Sequence, residues 1–148
     1  MFLAALLLAQ AVPQQQCTAM DANLPASLAA WTTPGPGDPM DITRPITLVP
    51  MAPGEISDLP ATAKPGKAAL MPFVVEKAGS YGVAVDQAAW IDVVPDGGAP
   101  LASARHGHGP ECSTIRKIVR FDLKPGSYTI YLSGLGEANV RVMLVPGE

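Results

Sequence analysis

The sequence predicts an all-β protein, an antiparallel β-sandwich or jelly roll with an irregular N-terminal arm. Its 148 residues include 16 prolines and 14 glycines, which favour short elements joined by turns over long helices. With 48% hydrophobic and 16% charged residues, the chain has enough apolar material for the core of one domain. From about residue 68 onward, apolar and polar residues alternate, which is typical of antiparallel strands with one buried face.

Residues 1–11, "MFLAALLLAQA", predict a signal peptide. An apolar run ends in Ala9-Gln10-Ala11, which resembles a cleavage site for export, although no Lys or Arg precedes it. The alternative is a buried N-terminal strand or helix. The run is shorter than the roughly 20 residues that a membrane-spanning helix requires. We therefore expect a periplasmic or secreted protein that does not span a membrane.

Residues 12–67 predict an irregular arm with little regular structure. "LPASLAAW" favours one short helical turn, in which Trp31 anchors the packing, and "ITLVP" favours a first short strand. "TTPGPGDPMD" between them excludes regular structure because three prolines and two glycines fall within ten residues. Two interpretations remain open: the arm wraps around the core, or it is partly disordered.

Residues 68–148 predict the sandwich core. Seven segments have strand character and are separated by turn residues: "AALMPFVVE", "SYGVAVD", "AWIDVVP", "PLASARH", "STIRKIVRFDL", "SYTIYLSG" and "ANVRVMLV". Alternation within the last three predicts an inward face made of Val119, Phe121, Leu123, Tyr128, Ile130, Leu132, Val140, Val142 and Leu144. Seven short strands with regular turns indicate a sandwich or jelly roll.

Two similar segments occur in this half, "FVVEKAGSY" from Phe73 and "FDLKPGSY" from Phe121. Each is a strand end, a short bend and Gly-Ser-Tyr, followed by another strand. We expect two hairpins at equivalent corners of the facing sheets.

The run from Phe73 to Val145 resembles the pre-peptidase C-terminal domains of secreted bacterial proteins. The shared features are "GSYGVAV", the pair "WIDVVPDGG", and the late "PGSYTIYL" strand. The resemblance implies a small β-sandwich module, but of the acidic cluster that such domains use for calcium only Asp92 and Asp96 are present. The whole chain also resembles a group of short exported bacterial proteins, some of which we expect to carry a homogentisate dioxygenase label.

The two cysteines, Cys17 and Cys112, predict one disulfide. An exported chain meets an oxidising compartment, in which paired cysteines are the usual state. The alternative is two free thiols.

The segment "HGHGPE" predicts a metal site made of His106, His108 and Glu111. On one strand the two histidines project to the same face, and a carboxylate would complete the facial triad of a non-haem iron site. A cupin, the fold of homogentisate dioxygenases, would need a further histidine, which the chain lacks. Gly107, Gly109 and Pro110 favour a turn that abolishes the same-face geometry. The alternatives are therefore an architectural loop or a simpler site for copper, zinc or iron.

Arg105, Arg116 and Arg120 predict an anion site beside the histidines. On a strand, Arg116 and Arg120 share one face and Lys117 points to the other. Together with the imidazoles they suit a carboxylate, a sulfate or an acidic glycan. A solvated strand face is the alternative.

Other classes of function find no support in the sequence. A net charge of −3 gives no reason to expect a nucleic-acid partner. Ser113 lacks a nucleophile-elbow motif, and no phosphate-binding loop is present. Trp90 starts an apolar segment and is expected in the core. The sequence thus predicts a non-enzymatic binding or accessory module of the cell envelope without a cofactor, whose partner is an envelope protein or a glycan; the alternative is a small metal-binding protein or cupin-like oxygenase.

Overall fold

The structure is a computed structural model that describes residues 16–33 and 42–147. The predicted signal peptide at residues 1–11 lies outside the described residues, as does most of the proline-rich segment "TTPGPGDPMD".

The described chain is all-β, as predicted. Two short 3-10 helices, Ala26–Thr32 and Pro53–Glu55, lie in the N-terminal arm. The strands are β1 Ile46–Leu48, β2 Lys67–Val75, β3 Gly79–Val85, β4 Trp90–Pro95, β5 Arg105–His108, β6 Lys117–Leu123, β7 Gly126–Leu135 and β8 Val140–Pro146.

These strands form two antiparallel sheets. The larger sheet has the order β1-β8-β3-β6-β5 and the smaller one the order β2-β7-β4. An eight-stranded jelly roll has two four-stranded sheets in which the fifth strand lies beside the fourth. This protein follows that order except that β5 pairs with β6, so β4 is the edge strand of the smaller sheet among the described residues.

The core lies between the sheets and confirms the predicted alternation. All nine residues predicted to face inward on the last three strands are buried. The opposite faces are less exposed to solvent than predicted, because Tyr131, Ser133 and Met143 are buried there as well.

The N-terminal arm covers these outer faces. Trp31 is fully buried and packs in one cluster with Ala84 and Met143 of the larger sheet. Ile56 packs with Tyr131 on the smaller sheet. Of the two interpretations left open, the described part of the arm takes the first and wraps around the core.

The predicted disulfide is present and fastens the arm to the β5–β6 connection. Cys17 and Cys112 are bonded across 95 residues of sequence. Beside the bond, the Asp21 carboxylate accepts hydrogen bonds from the backbone N–H and the hydroxyl of Thr114, at 2.7 and 2.6 Å. The Thr114 hydroxyl in turn accepts the indole N–H of Trp31 at 2.9 Å. One network therefore holds the arm, its 3-10 helix and this connection together.

The two "GSY" segments occupy equivalent corners, but they are not hairpins. Each crosses from one sheet to the other, since β2 and β7 lie in the smaller sheet and β3 and β6 in the larger. Tyr128 lies opposite Phe73, and Tyr81 lies opposite Phe121, so each aromatic of one segment pairs with one of the other. Both tyrosine hydroxyls donate to the carbonyl four residues upstream, which fixes the crossing in the manner of a tyrosine corner.

The strand predicted over "PLASARH" is shorter than expected. Only its end joins β5, whose range is Arg105–His108. Leu101 donates its backbone N–H to the Val93 carbonyl at 2.9 Å, which holds the start of this segment against β4. The chain between Leu101 and β5 therefore crosses from the edge of the smaller sheet to the edge of the larger.

Removal of the disulfide should destabilise the fold. We expect the double variant Cys17→Ser/Cys112→Ser to lose about 2–4 kcal/mol of unfolding free energy, because the unfolded chain regains the entropy of a long closed loop. Urea unfolding of the wild type and the variant measures the loss. A reducing agent should lower the stability of the wild type and leave that of the variant unchanged; equal stability of both proteins would contradict the assignment of this bond as a main support of the arm.

Candidate functional site

An open groove lies at the side of the sandwich, between β4 at the edge of the smaller sheet and β5 at the edge of the larger sheet. In the β5–β6 register, His106 lies opposite Val119 and His108 lies opposite Lys117. Residues directly opposite each other in an antiparallel pair point to the same face. Val119 is buried in the core between the sheets, so both histidines project from the inner face of the larger sheet. All four residues of β5 are nevertheless exposed, which places the imidazoles in the groove.

The groove consists of two adjoining cavities of about 590 and 560 Å³. The first, which we call the cationic cavity, is lined by Lys64, Pro65, Ala88, Ala89, Trp90, His106, Gly107, His108, Arg116, Lys117, Ser133 and Gly134. The second, which we call the apolar cavity, is lined by Thr62, Trp90, Ile91, Asp92, Pro100, Leu101, Ala102, Ser103, His106, Lys117, Val119 and Phe121. Trp90, His106 and Lys117 line both, so they mark the junction.

Trp90 forms an aromatic wall of the groove, and hydrogen bonds fix the orientation of its ring. This position corrects the expectation that Trp90 belongs to the core. It is 40% exposed, because it shares the outer face of β4 with Asp92 while Ile91 points inward. The indole N–H donates to Oδ2 of Asp92 at 3.0 Å, and the Thr62 hydroxyl donates to the same oxygen at 2.9 Å. Asp92 is itself buried, so the ring orientation is set by a shielded carboxylate.

Two lysines approach this ring. The ammonium nitrogen of Lys64 lies 4.4 Å from the ring centroid, and that of Lys117 lies 6.0 Å from it. Both distances are within the range of cation–π attraction. Lys117 also donates to the Ala89 carbonyl at 2.9 Å, and the backbone N–H of Lys64 donates to the Ser133 hydroxyl at 2.9 Å. Trp90 and its neighbours thus hold two ammonium groups at the wall of the groove.

The cationic cavity carries positive charge in a protein of net charge −3. Lys64, Arg116 and Lys117 line it together with both imidazoles. None of the described residues that line this cavity is a carboxylate. An electropositive concavity of this kind attracts anions and raises their local concentration.

The predicted metal ligands are only partly brought together. His106 and His108 lie on one face of β5, so the turn expected at Gly107 is wrong: pairing with β6 keeps this glycine extended, and the connection starts after His108. Glu111 is exposed in the turn that follows. Across residues 16–33 and 42–147, no three side chains of His, Cys, Asp or Glu form a group able to hold a metal ion. The arrangement therefore does not fit the two-histidine, one-carboxylate triad of an iron oxygenase.

Only one arginine of the predicted trio lines the groove. Arg105 lies opposite Arg120, on the outer face of the larger sheet and away from the histidines. Burial of the guanidinium, and then the charge of Arg105, lower the pKa of Arg120. Arg120 also donates to the Gly147 carbonyl, which gives it a structural contact. Arg116 precedes β6 and lines the groove, so of the three arginines only Arg116 lies with the histidines.

Lys64, Lys117 and Trp90 were not predicted as site residues. Lys64 belongs to an arm segment that reads as loop, and only its packing on the smaller sheet brings it to the groove. The outward position of Trp90 could have been predicted. In "WIDVV" it lies two residues before Asp92, so both side chains point to the same face of a strand, and a face that carries an aspartate is expected to point outward.

Comparison with known proteins finds no family model, no curated protein and no solved structure that matches this chain. The resemblance to pre-peptidase C-terminal domains and the homogentisate dioxygenase label therefore stay predictions, and the functional argument depends on the groove.

Loss of the Asp92 carboxylate should release Trp90. We expect Asp92→Leu to lower the unfolding free energy by about 1–3 kcal/mol, because two donors lose a buried acceptor. Quenching of tryptophan fluorescence by acrylamide should increase, and it reports on Trp90 because Trp31 is fully buried. Asp92→Asn, which retains one oxygen acceptor, is the matched control. Unchanged quenching in Asp92→Leu would contradict the role assigned to the carboxylate.

Proposed function

We propose that this chain is an exported, non-enzymatic binding module that takes a negatively charged ligand in its side groove. The observation that carries the proposal is the pair of ammonium groups held against Trp90, next to Arg116 and the two imidazoles. A carboxylate or sulfate placed there accepts charge-assisted hydrogen bonds, which are the stronger kind.

The lysines are suited to binding because they are partly ordered before a ligand arrives. A free lysine side chain loses rotamer entropy when it is immobilised, and this loss reduces affinity. Contacts with the indole ring, and for Lys117 with the Ala89 carbonyl, meet part of that cost in the folded state. The volume of each cavity also lies within the range of about 300–1,000 Å³ that is typical of small-ligand sites.

A binding role is favoured over nucleophilic catalysis by the state of Ser113. Its hydroxyl donates to the Pro110 carbonyl at 2.7 Å, which is a local turn contact. A nucleophilic serine instead donates to a general base such as an imidazole.

Export to the periplasm or the outside of the cell is proposed from the disulfide and the predicted signal peptide. Disulfides such as Cys17–Cys112 persist mainly in oxidising compartments. Within the described ranges, the structure contains no helix long and apolar enough to cross a membrane. In the envelope the ligand would be an acidic group of a glycan, a partner protein or a small molecule.

The anion-binding proposal predicts that charge decides binding. We expect benzoate to bind and benzamidinium, of similar shape and opposite charge, to bind at least about tenfold more weakly. Isothermal titration calorimetry at low salt measures both. Lys64→Met should weaken benzoate about threefold to tenfold, whereas Lys67→Met, which removes the same charge three residues away and outside the groove, should not.

Equal affinity for benzoate and benzamidinium would contradict the proposal, and so would equal effects of the two lysine variants. Amide chemical shifts that move on benzoate binding should centre on β5 and on the start of β6.

Metal binding is the second candidate function. It is favoured by one observation: His106 and His108 project from the same face of β5 into the same cavity. Side chains two residues apart on a strand lie about 7 Å apart, so two imidazoles can turn towards one ion. Copper, zinc and iron are the metals that such ligands suit.

Metal titration separates this candidate from the first. If the pair binds metal, protein purified without a histidine tag should take up one zinc or copper ion per chain, and His106→Ala/His108→Ala should abolish uptake. Glu111→Gln should leave uptake intact, because Glu111 does not form a group able to hold a metal ion with the two histidines among the described residues. Wild-type protein without stoichiometric metal, and with the same stability as the double variant, would end this candidate.

A further inference from the structure

The two halves of the groove differ in chemistry. The cationic cavity presents Lys64 and Arg116, with Lys117 at the junction. The apolar cavity is lined by the partly buried Leu101 and by the buried core residues Ile91, Val119 and Phe121, together with the polar residues Thr62, Asp92 and Ser103. The only carboxylate among its described lining residues is Asp92, which is buried and engaged with Trp90 and Thr62. A ligand that lies along the whole groove therefore meets three cationic side chains at one end and, beyond Lys117 at the junction, a lining without a further lysine or arginine at the other.

The difference in charge between the two cavities follows the direction of strand β6. Lys117, Val119 and Phe121 share its inner face, because they alternate along the strand. At a rise of about 3.3 Å per residue, Phe121 lies about 13 Å from Lys117 along the strand. Leu101, which is only partly buried, packs against the core on the β4 side and forms the opposite wall.

We infer that the ligand is an amphiphilic anion, with its acidic group at Lys64, Arg116 and Lys117 and its apolar body along the apolar cavity. This inference rests on the proposed function, because it assigns the ligand class of the same groove. A compact anion would use only the cationic cavity, and a neutral lipid would offer the ammonium groups no opposite charge. An alkyl or aromatic carboxylate or sulfonate uses both.

A homologous series of carboxylates tests the inference. Acetate carries the head group alone, decanoate carries the head group and a chain, and decanol carries a chain of the same length without charge. Each buried methylene should raise affinity about twofold to fourfold. We therefore expect decanoate to bind at least about a hundredfold more tightly than acetate, and decanol at least about tenfold more weakly than decanoate. Calorimetry below the micellar concentration of decanoate gives the three constants.

Two variants assign the ends of the ligand. Leu101→Ser should reduce the ratio of decanoate to acetate affinity at least about fivefold, because it removes apolar wall. Lys64→Met should weaken both carboxylates and leave this ratio unchanged. Val74→Ser, which removes an exposed apolar side chain outside both cavities, is the control for Leu101→Ser. Thermal melting of all variants checks that they are folded.

The outcomes separate the inference from the function beneath it. If acetate and decanoate bind equally, the anion site stands and the amphiphilic ligand is wrong. If decanol binds as tightly as decanoate, charge has no role in retaining the chain and the inference also fails. If neither carboxylate nor benzoate binds, the proposed function fails with it.

Discussion

The pairing of β5 with β6 is the constraint on which the site depends. A strand beside β4 would close the side of the sandwich, and the inner faces of both sheets would then be covered. Here β5 extends the larger sheet instead, so His106 and His108 project inward where no strand of the described residues covers them. Trp90 at the start of β4 reaches the same space from the other side. The connection between β5 and β6 is attached to the N-terminal arm by the Cys17–Cys112 disulfide and by the Asp21–Thr114 hydrogen bonds. These bonds restrain the connection and so support the pairing of the two strands.

The N-terminal arm contributes both to stability and to the site. Its buried residues cover apolar side chains on the outer faces that would otherwise lie in water, among them Met143 and Tyr131. The same arm supplies Thr62, which helps to orient the Asp92 carboxylate, and Lys64, whose ammonium group lies over the Trp90 ring. Because one segment performs both tasks, the geometry of the groove is coupled to the packing of the arm on the smaller sheet.

The cations near the histidines are distributed between the outer face of the larger sheet and the groove. The cations near the histidine segment do not form one patch: Arg105 and Arg120 lie on the outer face of the larger sheet, whereas Arg116 and Lys117 line the groove. Arg120 is partly buried and donates to the Gly147 carbonyl, and it is not among the residues that line the two cavities. The groove is thereby left with three cations at one end and, beyond Lys117, no further lysine or arginine lining the other, which is the basis of the proposal of a ligand with two unlike parts.

The fold was largely predictable from the sequence, and the site was not. Alternation decides which side of each strand is apolar, so the antiparallel sandwich and the inward positions on the last three strands followed from local pattern. The packing role of Trp31 also followed from local sequence, because a large aromatic residue ends the short apolar segment "LPASLAAW", which favours a helical turn. The disulfide followed from the count of cysteines and the expected compartment. Local pattern does not specify which strand pairs with β5, because that choice depends on contacts between residues distant in sequence. Only the tertiary structure decided that Lys64 meets Trp90 across 26 positions, that Arg116 alone of the three arginines lines the groove, and that no group of three metal-ligating side chains forms among the described residues.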